Sequence, residues 1–164
     1  MNEKSGAKPS GKVLFGVDYL TLMRFMELED DEADKNTKTN YTDAIIRFFL
    51  LQWGFSLTEI DEANRLFFEK ANNNELDPKI GTVLDRVVNF VKNDKEKQER
   101  LVIEMAAIGL IDNHVSDRES SLMNIFKDEF DLRQSEIQAL VKIGSDWSAG
   151  FDFISQKYIE DNPN

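Results

Sequence analysis

Cysteine is absent from this sequence, and histidine occurs once, as His114. Without thiols there can be no disulfides and no thiolate–metal sites. With one imidazole there is no site that takes two histidines from one chain, and any Ser-His-Asp arrangement would have to be built around His114. Long apolar runs are missing too, since none reaches membrane-spanning length. The opening MNEKSGAKPSGK lacks the apolar centre of a secretory signal, so a soluble, cytoplasmic protein is expected. Basic charge is scarce: 20 Lys and Arg stand against 31 Asp and Glu, for a net charge of −11. Lys4, Lys8 and Lys12 against Glu3 give the first 12 residues +2, which leaves −13 on the remainder. So acidic a body repels phosphate backbones, which argues against nucleic acid as a partner and for cations or basic proteins.

Strand signals are scarce as well, while apolar residues recur at helical spacing almost everywhere. Residues 17–28 place Tyr19, Met23 and Met26 on one stripe, flanked by Leu20 and Leu22. Residues 42–53, TDAIIRFFLLQW, are nearly all apolar and read as a helix buried on most sides. Gly54 stops that helix, and Ser56 with Glu59 forms a capping box for the next. Asp77 and Pro78 mark another start, followed by a Val83–Val87–Val91 stripe. Asp94 caps a helix over about 95–111, whose second half, LVIEMAAIGLI, carries only Glu104 as a charge and reads as the central core helix. Arg47 is the expected partner of Glu104. Ser116 with Glu119 makes a second capping box, opening a helix over 117–129 that faces Leu122, Ile125 and Phe126 inward. Ser135 reads as the cap of a short helix, and a last amphipathic segment carries Trp147, Phe151, Ile154 and Tyr158. The expectation is all-α: a single compact domain of about seven or eight helices over 13–160, with a flexible tail at 1–12 and a frayed end at 161–164.

The order of elements repeats. An apolar helix, an acidic turn, a second helix and a corner into a third occur twice, with Phe55, Leu57 and Ile60 set against Phe130, Leu132 and Ile137. The first turn reads as several residues longer. Two pseudo-repeated halves around one core are expected.

The turns carry the candidate chemistry. In LIDNHVSDRESSL, residues 110–122, Asp112 follows the end of a helix, where the macrodipole is negative and a carboxylate is disfavoured by about 0.3–1 kcal/mol. Asn113 tolerates the left-handed conformation that ends helices, Val115 can anchor the turn, and Ser116 and Glu119 open the next helix. Gathered oxygen donors of this kind suit Ca²⁺ or Mg²⁺. The alternative is a solvated, well-capped corner in which Glu119 serves Ser116 alone. The turn is not an EF-hand: counting from Asp112 puts His114 third, Asp117 where glycine is required and Met123 twelfth. In the first half, ELEDDEAD (27–34) holds six acids in eight residues. A cluster of unpaired carboxylates repels itself, and a cation would relieve it, although such runs also occur as solvated loops.

The stretch MAAIGLIDNHVSDRESSLMNIFKDEFDLRQSEIQAL resembles the second half of the TerB-like family of tellurite-resistance proteins. Asp112 matches the aspartate of that family's Asp-Gly turn, Val115 its buried aliphatic residue and Glu119 the glutamate that opens its next helix. Leu132 and Ser135-Glu136 match its later corner. The motif glycine is Asn113 here, and in the first half Asp30 or Asp31 and Asp43 take the acid positions. The resemblance implies an all-helical fold and an acidic face that binds a divalent cation, Ca²⁺ or Mg²⁺, through Asp112, Glu119 and Ser116 together with Asp30, Asp31 and Asp43. It implies no catalysis and no organic cofactor. It implies a role in stress response, with protein partners in membrane-linked assemblies. A metal-free adaptor that binds through its acidic face or its C-terminal aromatic helix is the competing expectation.

Overall fold

The computed structural model describes residues 8–27, 35–75, 80–110 and 117–161, and for residues 26, 27, 35–42, 118, 119 and 152–161 it describes the backbone alone. Among the described residues there are seven helices and no strand: α1 (Gly11–Glu27), α2 (Lys35–Gln52), α3 (Leu57–Asn72), α4 (Ile80–Phe90), α5 (Lys95–Gly109), α6 (Asp117–Glu129) and α7 (Gln134–Asp161). α1 packs against α3, α4 and α5, and α5 packs against α6 and α7. No described helix is long and apolar enough to cross a membrane.

Local chemistry explains most of the boundaries. α1 starts at Gly11, inside the expected tail, because the Ser10 hydroxyl accepts from the Val13 N–H at 3.2 Å and Val13 is buried. Ser56 and Glu59 form the expected reciprocal capping box at α3, and Asp94 caps α5 through the Lys97 N–H. Val83, Val87 and Val91 are all buried, the last just beyond the end of α4. Asp77 and Pro78 lie outside the described residues.

Three of the expected helices differ in the structure. Ser135 does not cap a short helix, since α7 begins at Gln134 and runs for 28 residues. Its start is held instead by Glu136, whose carboxylate accepts from the Arg133 backbone N–H at 3.3 Å and from the Arg133 guanidinium at 2.8 Å. Gly144, which would read as a stop, lies within α7 at its crossing with α5. A Cβ there would meet the Ile103 carbonyl oxygen and Ala106 Cβ, both at 2.7 Å, so glycine permits the close approach. The second correction is α2, which is not buried on most sides. Ile45, Ile46, Phe49 and Leu50 face the core, while Phe48 is 48% exposed and Leu51 41%. The third is Ile125 of α6, which faces outward at 39% exposure while Leu122 and Phe126 are buried.

The internal repeat is present, with a sharper register than the sequence pattern suggests. α2 and α6 end alike. Gly54 (φ +83°) and Asp131 (φ +51°) take the left-handed conformation, and the next N–H reaches five residues back in each, Phe55 to the Leu50 carbonyl and Leu132 to the Lys127 carbonyl. Phe55 therefore corresponds to Leu132, both buried, and Trp53 to Phe130. Leu57, 56% exposed, has Gln134 as its counterpart and not the buried Leu132. Ile60 and Ile137 do correspond. Seven residues (28–34) separate α1 from α2, and seven (110–116) separate α5 from α6, so the first connection is not the longer one. Lys12 near the start of α1 pairs with Glu59 at 3.2 Å, and Lys95 at the start of α5 approaches Glu136 at 4.0 Å.

Candidate functional site

The most unusual chemistry lies where the halves meet. α5 is buried from Leu101 to Gly109 apart from a half-buried Ile103, and Glu104 sits in the middle of that stretch with 0% exposure. A carboxylate can occupy such a place only if its oxygens find donors. Oε1 accepts from the Tyr19 hydroxyl of α1 at 3.1 Å and from the indole N–H of Trp53 at the α2–α3 corner. Oε2 faces the Nε of Arg100, one turn earlier on α5, at 3.4 Å. The Arg100 guanidinium also lies 5.8 Å from the centre of the Trp53 ring, within range of a cation–π contact. Phe15 completes the aromatic wall, 5.1 Å from Trp53 and 4.2 Å from a stacked Phe90.

Burial pushes the Glu104 carboxyl up to about 7, against the opposing pull of Trp53, Arg100 and Tyr19. Burial, reinforced by the Glu104 carboxylate, also raises the Tyr19 hydroxyl well above its ordinary value, so it stays a donor. Arg47 is not the partner expected for Glu104. It projects from the outer face of α2 and meets Asp61 at 3.4 Å in solvent. Arg100 takes the place instead, because i and i+4 share one helix face. The sequence signal for the cluster was the lone acid of LVIEMAAIGLI with an arginine four residues before it.

The expected metal ligands are mostly not placed. Asp30, Asp31, Asp112 and Ser116 lie outside the described residues, as does His114. α6 does begin at Asp117, directly after Ser116, but only the backbone of Glu119 is described. Asp43 is described, and its carboxylate accepts from the Arg24 guanidinium. Among the described residues, no group of three or more acids or histidines is arranged to hold a metal.

The equivalent grooves of the two halves differ. In the first half, α1, α2 and α3 bound a space of about 410 Å³ lined by Arg24, Asp43, Arg47, Asn64 and apolar neighbours, and the Arg24–Asp43 and Arg47–Asp61 pairs lie along it. In the second half, α5, α6 and α7 bound about 290 Å³ lined by Ala106, Leu110, Met123, Ile137 and Val141, with Ser120, Asn124, Gln134 and Gln138 as polar groups. In the register of the two corners, Ser120 stands at the place of Asp43, Asn124 at that of Arg47 and Gln138 at that of Asp61. Three charged residues of the first half, Asp43, Arg47 and Asp61, thus have uncharged residues at their places in the second. On α7, Trp147 is 39% exposed yet touches Phe49 of α2 with 6.1 Å between ring centres, and Phe151 meets the same ring at 5.9 Å.

No family model matches the chain, and no curated protein or solved structure is similar to it at a significant level.

Proposed function

We propose that this chain is a non-catalytic, divalent-cation-responsive interaction module of a TerB-like stress-response system, acting in the cytoplasm on protein partners, including membrane-linked assemblies. One observation carries the reading. The two connections that hold the candidate ligands, 28–34 and 110–116, have the same length and join corresponding helices of two repeated halves. The first contains Asp30 and Asp31, and the second contains Asp112 and Ser116, with Glu119 in the helix that follows. Ca²⁺ or Mg²⁺ bound between them would relieve the self-repulsion of an acidic chain and offset the dipole at Asp112.

The experiment is thermal unfolding with and without calcium. A ligand held at 100 times its dissociation constant adds about 2.7 kcal/mol to the folded state. The wild-type melting temperature rises in millimolar Ca²⁺, and the rise disappears in Asp112→Asn/Glu119→Gln. Equal melting temperatures with Ca²⁺, Mg²⁺ and chelator would refute the reading.

A second reading is a metal-free adaptor, favoured by the apolar residues left in solvent on α7 and α2: Ile143, Trp147, Phe48 and Leu51. It predicts a partner whose binding is lost in Trp147→Ala. Binding through the acidic face is instead weakened by salt.

A further inference from the structure

We propose that Glu104 is a proton-operated latch at the seam between the two halves: on taking up a proton it gives up Arg100, which swings to solvent and uncovers Trp53. The geometry decides which contact breaks. Oε1 already accepts two neutral donors, Tyr19 and Trp53, and keeps both in the acid form. The proton from solvent therefore adds to Oε2, whose only described partner is Arg100. Oε2 then presents an O–H donor to an N–H donor. The ion pair is gone, and a guanidinium has no acceptor to replace it. Arg100 is 30% exposed at its side chain while Glu104 is fully enclosed, so Arg100 is the group that can leave.

Among the described residues, the charged groups on the surrounding elements pair elsewhere, Arg24 of α1 with Asp43 of α2 among them. On α1, Asp18 pairs with Arg86 of α4 at 2.9 Å, and Lys12 pairs with Glu59 of α3. On α7, Lys142 pairs with Asp146 in solvent. Arg100 is the one charged residue that acts on Glu104 among the described residues, and with the carboxyl at about 7 the latch works near neutral pH. The output is one positive charge moved from the seam to the surface of an acidic protein.

The composition makes the test clean. With no cysteine and a single histidine, few other groups titrate near neutrality. The full chain carrying Trp147→Phe and His114→Asn leaves Trp53 as the only tryptophan and removes the only imidazole. Its fluorescence, followed across neutral pH, shows a one-proton step near pH 7. Adding Glu104→Gln removes the step. Adding Arg100→Gln moves its midpoint upward, because the cation that favours the carboxylate is gone. A flat profile in the background protein would overturn the latch. So would a step that survives Glu104→Gln, or a midpoint that Arg100→Gln leaves in place or lowers. If Glu104→Gln fails to fold, the background and Arg100→Gln profiles decide the matter alone.

Discussion

The first half, α1–α3, and the second, α5–α7, share a layout but solve the same problems differently. Each ends its second helix in a left-handed residue, glycine at 54 and aspartate at 131. Each opens its third helix with a glutamate that accepts from the N–H before the helix, but only Glu59 is matched by a hydroxyl in return, from Ser56. Surrounding donors hold both carboxyls below the usual range, the Ser56 N–H first for Glu59 and the Arg133 guanidinium first for Glu136. The first half lines its groove with ion pairs, and among the described residues the second lines its own with uncharged ones. The third helix is 16 residues in one and 28 in the other, and the added length contributes Phe151 to the contact that Trp147 makes with Phe49 of α2. The backbone plan therefore depends on the corner and the core, while the surface of each half is free to diverge.

The largest effect should come from the core positions that the halves share. Phe49→Ala and Phe126→Ala each remove a ring that is 1% exposed or less and should each cost about 3–5 kcal/mol in urea unfolding. A much smaller cost at one of them would break the equivalence.

The seam adds a pH term. A carboxyl raised in the folded state binds its proton more tightly folded than unfolded. Its stabilisation is full below the unfolded value and is lost as pH rises through about 7. Wild type should lose up to about 3 kcal/mol relative to Glu104→Gln between pH 4.5 and pH 8, measured as the difference of their denaturation midpoints. The same slope in both proteins would exclude Glu104 as the source.

Helix crossings give the next contrast. Gly144→Ala drives a Cβ onto backbone and should cost about 2–3 kcal/mol. Gly16→Ala meets only side chains, Phe55 at 2.9 Å and Ala63 at 3.1 Å, and should cost about 1 kcal/mol or less because alanine favours helix. Thermal unfolding of the two variants checks the order.

The smallest effects test the corners. Gly54→Ala should destabilise by about 1 kcal/mol, whereas Asp131→Gly should stabilise by about 0.5 kcal/mol, since each changes the fit to a left-handed backbone. Opposite signs in the melting temperatures would support matched corners, and equal signs would break the match.

The all-helical class, the caps at Ser56 and Asp94 and the valine stripe of α4 were legible because they rest on spacing within one element. The repeat was legible, but its register was two residues off at Phe55 and Leu57. Matching letters paired Leu57 with Leu132, while the turns pair Phe55 with Leu132, and the hydrogen bonds that decide this have no letter of their own. α7 read as a short helix and a separate last segment because the close contact that explains Gly144 within it belongs to another helix, α5. Arg47 was matched to Glu104 on polarity alone, although the two lie on different faces of different helices. The Glu104 cluster joins α1, the α2–α3 corner and α5, so no local pattern could assemble it. Of the proposed cation site, only the acids and their order could be read, because a coordination shell depends on how distant turns are brought together.

The decisive measurement is calcium titration by calorimetry, on wild type and on one variant in each half. Wild type should bind saturably, and binding should be weakened both by Asp30→Asn/Asp31→Asn and by Asp112→Asn/Glu119→Gln. No binding heat with either Ca²⁺ or Mg²⁺ at millimolar concentration, or binding indifferent to both pairs of substitutions, would contradict the proposed function.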